Sequence, residues 1–560
     1  MAASTSTPRG TAAPFPPIPL RRRLYGFGSV YGKTIRDSRL AFIVATGLLA
    51  GMALAMGAAL PTVFPTPQAR LEVNALVGAM PASMVILFGQ PVGLGTLGGY
   101  MTWKYGAIFV MGTALWSIMA LSSTLASEAR RGSLDMIATT PLGKQRIAIE
   151  KLAAHLTLLW LSMLILALAA SAGSMVFGEE ALGDHISLVS GLGFGLWIGS
   201  IAMVFGGLAF LLAPVLGRAG SAGIASIVMV VLWLANGVEG LDALAVLSPF
   251  RWTADHVPLV AQYDWLPVAF TALVGVALMV GGVALFVRRD LGVTAGLRMP
   301  GLPAGILGTH GPLSRAFGDM LPRAIAWGIG MGLMGAMLAS LVGPMSAQIA
   351  GDSELIARFQ MIFPDFDLNA TGGWLQLFVE LMFIAVGFAG ATFVAKWASD
   401  ETDDRLEALL ATPLRRVTWV LAGGAAALLA VVVTTVLFAA GIGLGAAPGG
   451  IDAGESMLGT ATLGLFAAAI VGIGFAIGGL WRTSLAAEIA ALVVVATYLV
   501  GLIATPLGLP DWVRQLALTT HLGQPMMGNW DATGMVACLV FAVGGIALGA
   551  WGMTRRDVQR

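Results

Sequence analysis

With 560 residues, 57% of them hydrophobic and only 11% charged, and a mean hydropathy of +0.85, the chain is excluded from the soluble globular class and placed in a lipid bilayer. Its formal net charge of +1 says nothing about nucleic acid, but no basic groove interleaved with aromatics is visible and no nucleic-acid partner is expected. Cys538 is the single cysteine, so no intrachain disulfide can form, and His155, His185, His256, His310 and His521 have no metal-ligand spacing.

In chain order, residues 1–19 are rich in Ser, Thr, Ala and Pro and read as a disordered tail. They do not read as a cleavable signal, because the stretch after the first basic residues stays polar. Leu20, Leu24, Phe27, Tyr31 and Ile35 recur at helical spacing opposite Arg21, Arg22, Arg23, Lys33 and Arg36, which predicts a basic amphipathic helix in the membrane interface. Gly32-Lys33-Thr34 mimics the end of a phosphate-binding loop, but Phe27 stands where that pattern needs glycine.

A bilayer core of about 30 Å takes roughly 20 apolar residues per helix. Such stretches run near Leu40 to Leu60, Tyr105 to Ala126, Leu152 to Gly173, Ser190 to Ala213, Ser221 to Asn236 and Pro267 to Val287. After a polar connection they recur near Ala324 to Val342, Trp374 to Ala395, Thr418 to Leu444, Leu458 to Leu480, Leu485 to Ala504 and Thr533 to Met553. The expected fold is therefore an all-α polytopic membrane protein with twelve transmembrane helices in two six-helix halves, residues 20–310 and 311–560. Asn74 to Leu94 is also apolar, but Pro81 and Pro91 interrupt it, and we read it as an extracytoplasmic or re-entrant piece. With both termini inside, all of the 31 Lys and Arg residues except Arg70, Lys104, Arg251, Arg358 and Arg514 fall on the inner side. That is a strong positive-inside bias. An even number of spans per half makes the halves parallel repeats.

Two polar segments between apolar runs are copies of one another. Ser127 to Leu142 reads SEARRGSLDMIATTPL and Ser399 to Leu414 reads SDETDDRLEALLATPL, a shift of 272 (399 minus 127). Leu134 and Ile137, and Leu406, Leu409 and Leu410, fall on one helical face. Thr-Pro then stops each helix, since the residue before proline leaves the helical region and proline brings no N–H. Each half also ends on a matched basic sequence, Val287 to Asp290 and Thr554 to Asp557, expected to anchor at the interface.

Two acids, Glu380 and Glu488, fall inside predicted spans, where an ionisable group is a functional candidate by default. Glu488 has Arg482 nearby as a partner, which leaves Glu380 as the candidate on a substrate path. Asp365 and Asp367 could hold a divalent metal, but two carboxylates are a weak signal that turn or helix-cap chemistry explains better, and no metal site is assigned.

On the duplicated segments and their place after the second apolar run of each half, the chain resembles permease subunits of ABC-2-type bacterial exporters with two fused six-span halves. It is most similar to actinobacterial tetronasin-type antibiotic and multidrug efflux permeases. The resemblance implies a bacterial plasma-membrane location and coupling helices, 127–142 and 399–414, that dock on two copies of a cytoplasmic ABC ATPase. The docking residues it implies are Glu128, Leu134, Asp135, Thr140 and Pro141 in the first copy and Asp400, Leu406, Glu407, Thr412 and Pro413 in the second. ATP and Mg would then sit on the ATPase, this chain carrying no cofactor and no catalytic residue of its own. Arg130 and Arg131 stand where the second copy has Thr402 and Asp403, a difference between the two docking elements. The expected activity is export of amphipathic or apolar compounds. A proton-coupled secondary transporter is the alternative, and a lipid-linked glycosyltransferase using Asp365 and Asp367 is a third.

Overall fold

The computed structural model describes residues 28–75, 89, 91–130, 143–236, 242–288, 311–349, 353–362, 366–380, 382–403, 405–504 and 509–556. Helices dominate: α1 (Val30–Val63), α2 (Pro67–Ala75), α3 (Leu97–Arg130), α4 (Lys144–Phe177), α5 (Leu188–Ala235) and α6 (Trp265–Val287) in the first half. The second half holds α7 (Pro312–Ile349), α8 (Ser353–Ile362), α9 (Thr371–Glu380), α10 (Phe383–Thr402), α11 (Leu406–Leu410), α12 (Arg416–Ala446), α13 (Ala453–Ala461), α14 (Leu463–Leu480), α15 (Thr483–Ala504) and α16 (Ala532–Met553). A two-stranded antiparallel ribbon pairs β1 (Gly523–Gln524) with β2 (Asn529–Trp530).

Ten of the described helices are long and apolar enough to cross a membrane, eleven when the bent pair α9–α10 counts as one span. Every stretch predicted to span is helical, but two depart from the expected twelve. Gly217 (φ 69) breaks α5, so the fifth stretch is the short helix Gly220–Ala235, shorter than a standard span. The eighth is bent by 40° between Glu380 and Phe383. Of the predicted interfacial helix, Leu20, Leu24 and Phe27 fall outside the described residues, and Tyr31 and Ile35 lie in α1, which runs from Val30 into the first span without interruption; α7 likewise runs from Pro312 through Pro322.

The chain divides into two compact units. One comprises Met1–Gly51, Tyr105–Ser171 and Ser187–Leu297. In it, buried hydroxyls and one imidazole join neighbouring helices: Thr46 Oγ1 donates to Ser162 Oγ (2.9 Å), and Ser117 Oγ lies 2.9 Å from His155 Nε2. Hydrogen bonds of this kind give apolar helices a defined register in lipid. At one end of α5 and α6 the aromatic side chains cluster, Tyr263 stacked on Trp265 at 5.5 Å and Trp252 edge-on to Phe270 at 5.0 Å. Half-exposed aromatics of this kind suit a membrane–water boundary.

The other unit comprises Met52–Lys104, Ala172–Ile186 and Arg298–Arg560. A fully buried ion pair fixes the start of α3. Arg70 Nη2 donates to Asp184 Oδ2 (2.9 Å) and Arg70 Nε to the Phe64 carbonyl (3.1 Å), while Asp184 Oδ1 accepts from the Leu97 N–H (3.0 Å). The carboxylate thus sits on a helix N-terminus, where backbone donors and the helix dipole both favour it. Elsewhere small residues let backbones touch. A Cβ at Gly441 would collide with the Gly332 carbonyl and one at Gly445 with that of Ala336, so α12 and α7 meet along a glycine seam. Gly479 meets Gly549 and Gly472 meets Phe541 in the same way between α14 and α16. Lipid offers no hydrophobic drive for helix association, so close van der Waals approach replaces it.

Candidate functional site

The second duplicated segment lies where the ends of α7, α10, α12, α15 and α16 converge. It does not form one helix over 399–414: Ser399 to Thr402 complete the last turn of α10, and α11 is a separate element of five residues. α11 ends at Leu410, and in the turn that follows, Thr412 Oγ1 and the Thr412 N–H both bond back to the Leu409 carbonyl just before Pro413. This is the stop the Thr-Pro pair dictates.

Two adjacent carboxylates hold this element to the spans. Successive helix residues project about 100° apart, so Asp400 and Glu401 reach different neighbours. Asp400, buried, takes Arg315 Nη2 at 3.1 Å on Oδ1, and Arg315 Nη1 (3.3 Å) and the Trp419 indole N–H (3.2 Å) on Oδ2. Glu401, also buried, receives Arg556 Nη1 on Oε1 (3.0 Å) and Nη2 on Oε2 (2.5 Å), with the Thr483 hydroxyl on the same oxygen. Arg416 Nη1 donates to the Arg556 carbonyl (2.8 Å) and draws in the start of α12. Asp400 thus ties α10 to α7 and α12, and Glu401 ties it to α15 and the end of α16.

Leu406 is fully buried beneath α11, whereas Leu409 and Leu410 are half-buried and Glu407, Thr412 and Pro413 are exposed. The outward surface is therefore polar and small rather than leucine-faced. Glu407, Thr412 and Pro413 are open on that surface, whereas Leu406 and Asp400 are buried against the spans. In the first copy, Glu128 lies in the last turn of α3, and Leu134, Asp135, Thr140 and Pro141 fall outside the described residues.

Behind α11 the structure holds a cavity of about 250 Å³ lined by Arg315, Asp319, Lys396, Trp397, Asp400 and Trp419, with Gly423 at its edge. Lys396 Nζ pairs with Asp319 Oδ2 at 3.0 Å. Trp397 lies between Trp419 (4.8 Å) and Phe475 (4.1 Å), stacked on both.

Glu380 ends α9 at the bend. Gln376 Nε2 donates to Glu380 Oε1 (3.2 Å), and Gln376 Oε1 accepts from the Met526 N–H (3.2 Å), which links the acid to the turn between β1 and β2. Glu380 is half-buried and near enough to Tyr498 on α15 to interact with it electrostatically. Asp367 is exposed and accepts from the Asn369 N–H (3.1 Å) and Asn369 Nδ2 (3.0 Å), an Asx-type turn; Asp365 falls outside the described residues.

Sequence reasoning did not single out Glu401, Arg556, Arg315 or Trp419. The basic sequence at Thr554 to Asp557 predicts only an interfacial anchor for Arg556. Its neighbour Arg555 does lie over the Trp551 ring at 3.9 Å, while Arg556 turns inward to a residue 155 positions away. The available signal was two acids at the end of an apolar helix, which must find cations once buried.

Residues 311–554 match the family model described as the C-terminal domain of the multidrug efflux system permease Rv1217c. Over 526 residues the chain is 26% identical to the multidrug efflux system permease protein Rv1217c of Mycobacterium tuberculosis, a match that covers 90% of this chain and 89% of that protein. The chain is an all-α, multi-pass membrane protein similar over nearly its whole length to a multidrug efflux permease.

Proposed function

We propose that this chain is the membrane-spanning permease of an efflux system that exports amphipathic or apolar compounds, drugs among them, across a bacterial plasma membrane. The observation that carries this reading is the similarity to a multidrug efflux permease over nine-tenths of both chains. We read its halves as parallel six-helix repeats. In support, α4 begins at Lys144 and α12 at Arg416, 272 apart, the same shift as the duplicated motif (416 minus 144). The positive-inside bias puts both termini and both Thr-Pro elements in the cytoplasm.

There, two copies of an ABC ATPase, which would bring ATP and Mg, engage the exposed residues after α11, chiefly Glu407, Thr412 and Pro413, and their counterparts Asp135, Thr140 and Pro141. Motion of α11 passes through Asp400 and Glu401 into four other helices, which supports alternating access driven from outside the bilayer. The test is reconstitution with a Walker-type ATPase. Thr412→Arg, at an exposed position, should leave thermal stability within about 0.5 kcal/mol and abolish drug-stimulated hydrolysis. Leu406→Ala should instead destabilise this end by about 2–5 kcal/mol. If Thr412→Arg transports and hydrolyses normally, docking at this surface is refuted.

Proton coupling is favoured by one observation, the half-buried Glu380 at a bend within a span. Glu380→Gln separates the readings. Under ATP drive, export of neutral compounds should persist and export of cationic ones should fall about tenfold. If Glu380 carries protons, export of both collapses together and a protonophore reproduces the effect in the unsubstituted protein.

A further inference from the structure

We propose that His256 makes residues 253–264, just ahead of α6, an acid-opened latch: the segment is closed while the imidazole is neutral, and a proton on Nδ1 opens it. Three features carry this. The first is the ring's role as an acceptor. The Asp264 N–H donates to His256 Nδ1 at 2.9 Å. A backbone N–H can only donate, so Nδ1 is unprotonated and the neutral ring carries its proton on Nε2. A second proton would set two N–H groups against each other and turn the bond that closes the segment into a repulsion.

The second feature is burial with little provision for charge. His256 is 1% exposed, and its Nε2 has no hydrogen-bond partner among the described residues. The ring packs edge-on to Trp265 at 4.9 Å and tilted to Tyr263 at 6.3 Å. Aromatic faces attract a cation, but they do not remove the clash at Nδ1. The α5 residues packed on this segment, Ser190, Gly193 and Trp197, carry no charge. Arg251 pairs with Asp242 at 3.9 Å and Asp255 is exposed, so among the described residues Asp264 is the one charged group that acts on the imidazole. Burial holds the ring below its ordinary value of 6.5, against the weaker opposing pull of the Asp264 and Gly193 backbone and the Asp264 carboxylate. A histidine held low in the closed state and titrating normally in the open one binds more protons when open. The closed state is therefore fully favoured above about pH 6.5 and loses stability as pH falls below it.

The third is what the latch holds. Val257 and Gln262 exchange two backbone hydrogen bonds, 3.0 and 3.2 Å, and between them Ala261 has φ 61, a left-handed backbone that a residue with a Cβ keeps only under constraint. Opening relieves that strain. The Tyr263 hydroxyl lies 3.0 Å from Ser190 Oγ and ties the segment to the start of α5. Once the segment opens, the ends of α5 and α6 lose this cross-tie. The latch is independent of what drives export, and only the side of the membrane it senses rests on the orientation given above.

The experiment is amide hydrogen exchange of the full-length protein in detergent, followed by mass spectrometry on peptides covering residues 253–264, with each rate divided by its intrinsic rate at the same pH. In the unsubstituted protein, opening of this segment should rise about tenfold between about pH 7.5 and about pH 5, beginning near pH 6.5. His256→Asn places an amide oxygen that does not titrate where Nδ1 accepts, and its segment should stay closed over the whole range. Protection that ignores pH in the unsubstituted protein overturns the proposal, and so does the same rise in His256→Asn. A second measurement needs no variant. Exchange at the imidazole C2 position reports the titration of His256 itself, which should fall below the ordinary 6.5. A ring that titrates at or above that value overturns the latch.

Discussion

Glu401→Leu should cost about 3–5 kcal/mol, because it strands the Arg556 guanidinium, only 12% exposed, without its carboxylate. Arg556→Leu should cost as much by stranding the acid. The double substitution Glu401→Leu with Arg556→Leu should recover most of the loss, since an apolar pair of similar volume needs no compensation at that depth. Thermal unfolding of the purified protein measures all three. Single variants as mild as the double would mean that water already solvates the pair. Transport reads a second property of the same residues. If the pair transmits motion from α11 to α15 and α16, the double variant will be stable yet export poorly. A stable double variant that exports normally would make the pair a fastener and nothing more.

Gly445→Ala should destabilise by about 3 kcal/mol, the upper end for overpacking, because the added carbon runs into the backbone carbonyl of Ala336 rather than into a side chain that can swing away. Gly330→Ala, on α7 with open space at its Cβ, is the control. It should be neutral or stabilising by up to about 1 kcal/mol, from helix propensity alone. Opposite signs for two identical chemical changes would establish the seam; equal effects would reduce both to propensity. Melting curves in one detergent suffice.

Hydropathy alone located every helix long enough to span, since apolar stretches in lipid have no alternative to internal backbone hydrogen bonding. It separated the fourth stretch from the fifth, where Gly217 makes the break, but it could not tell that a single residue suffices for that break. Nor could it see that α9 and α10 part at Glu380, because the residues on both sides are apolar. The candidate site was legible as a place but not as a surface. Periodicity grouped Leu406, Leu409 and Leu410 on one face, yet which way that face turns is decided by Asp400 and Arg405 behind it and by Arg315, 85 positions upstream. Contacts over such separations leave no local pattern. The leucines therefore read as a grip for a partner, whereas the fold uses Leu406 as a seat.

Where α12 meets α7 and α14 meets α16, main chain rests on main chain at Gly441, Gly445, Gly472 and Gly479, and no rotamer at those points can absorb a displacement. Each couple must consequently travel as a single strut through any transport cycle. Sliding is then left to joints with deformable linings, such as the contacts of α10 with α15 and α14, where the Val494 and Phe466 side chains both face Gly387 and can re-seat. The gearing of this half is thereby reduced to a few stiff pairs and the softer hinges that separate them.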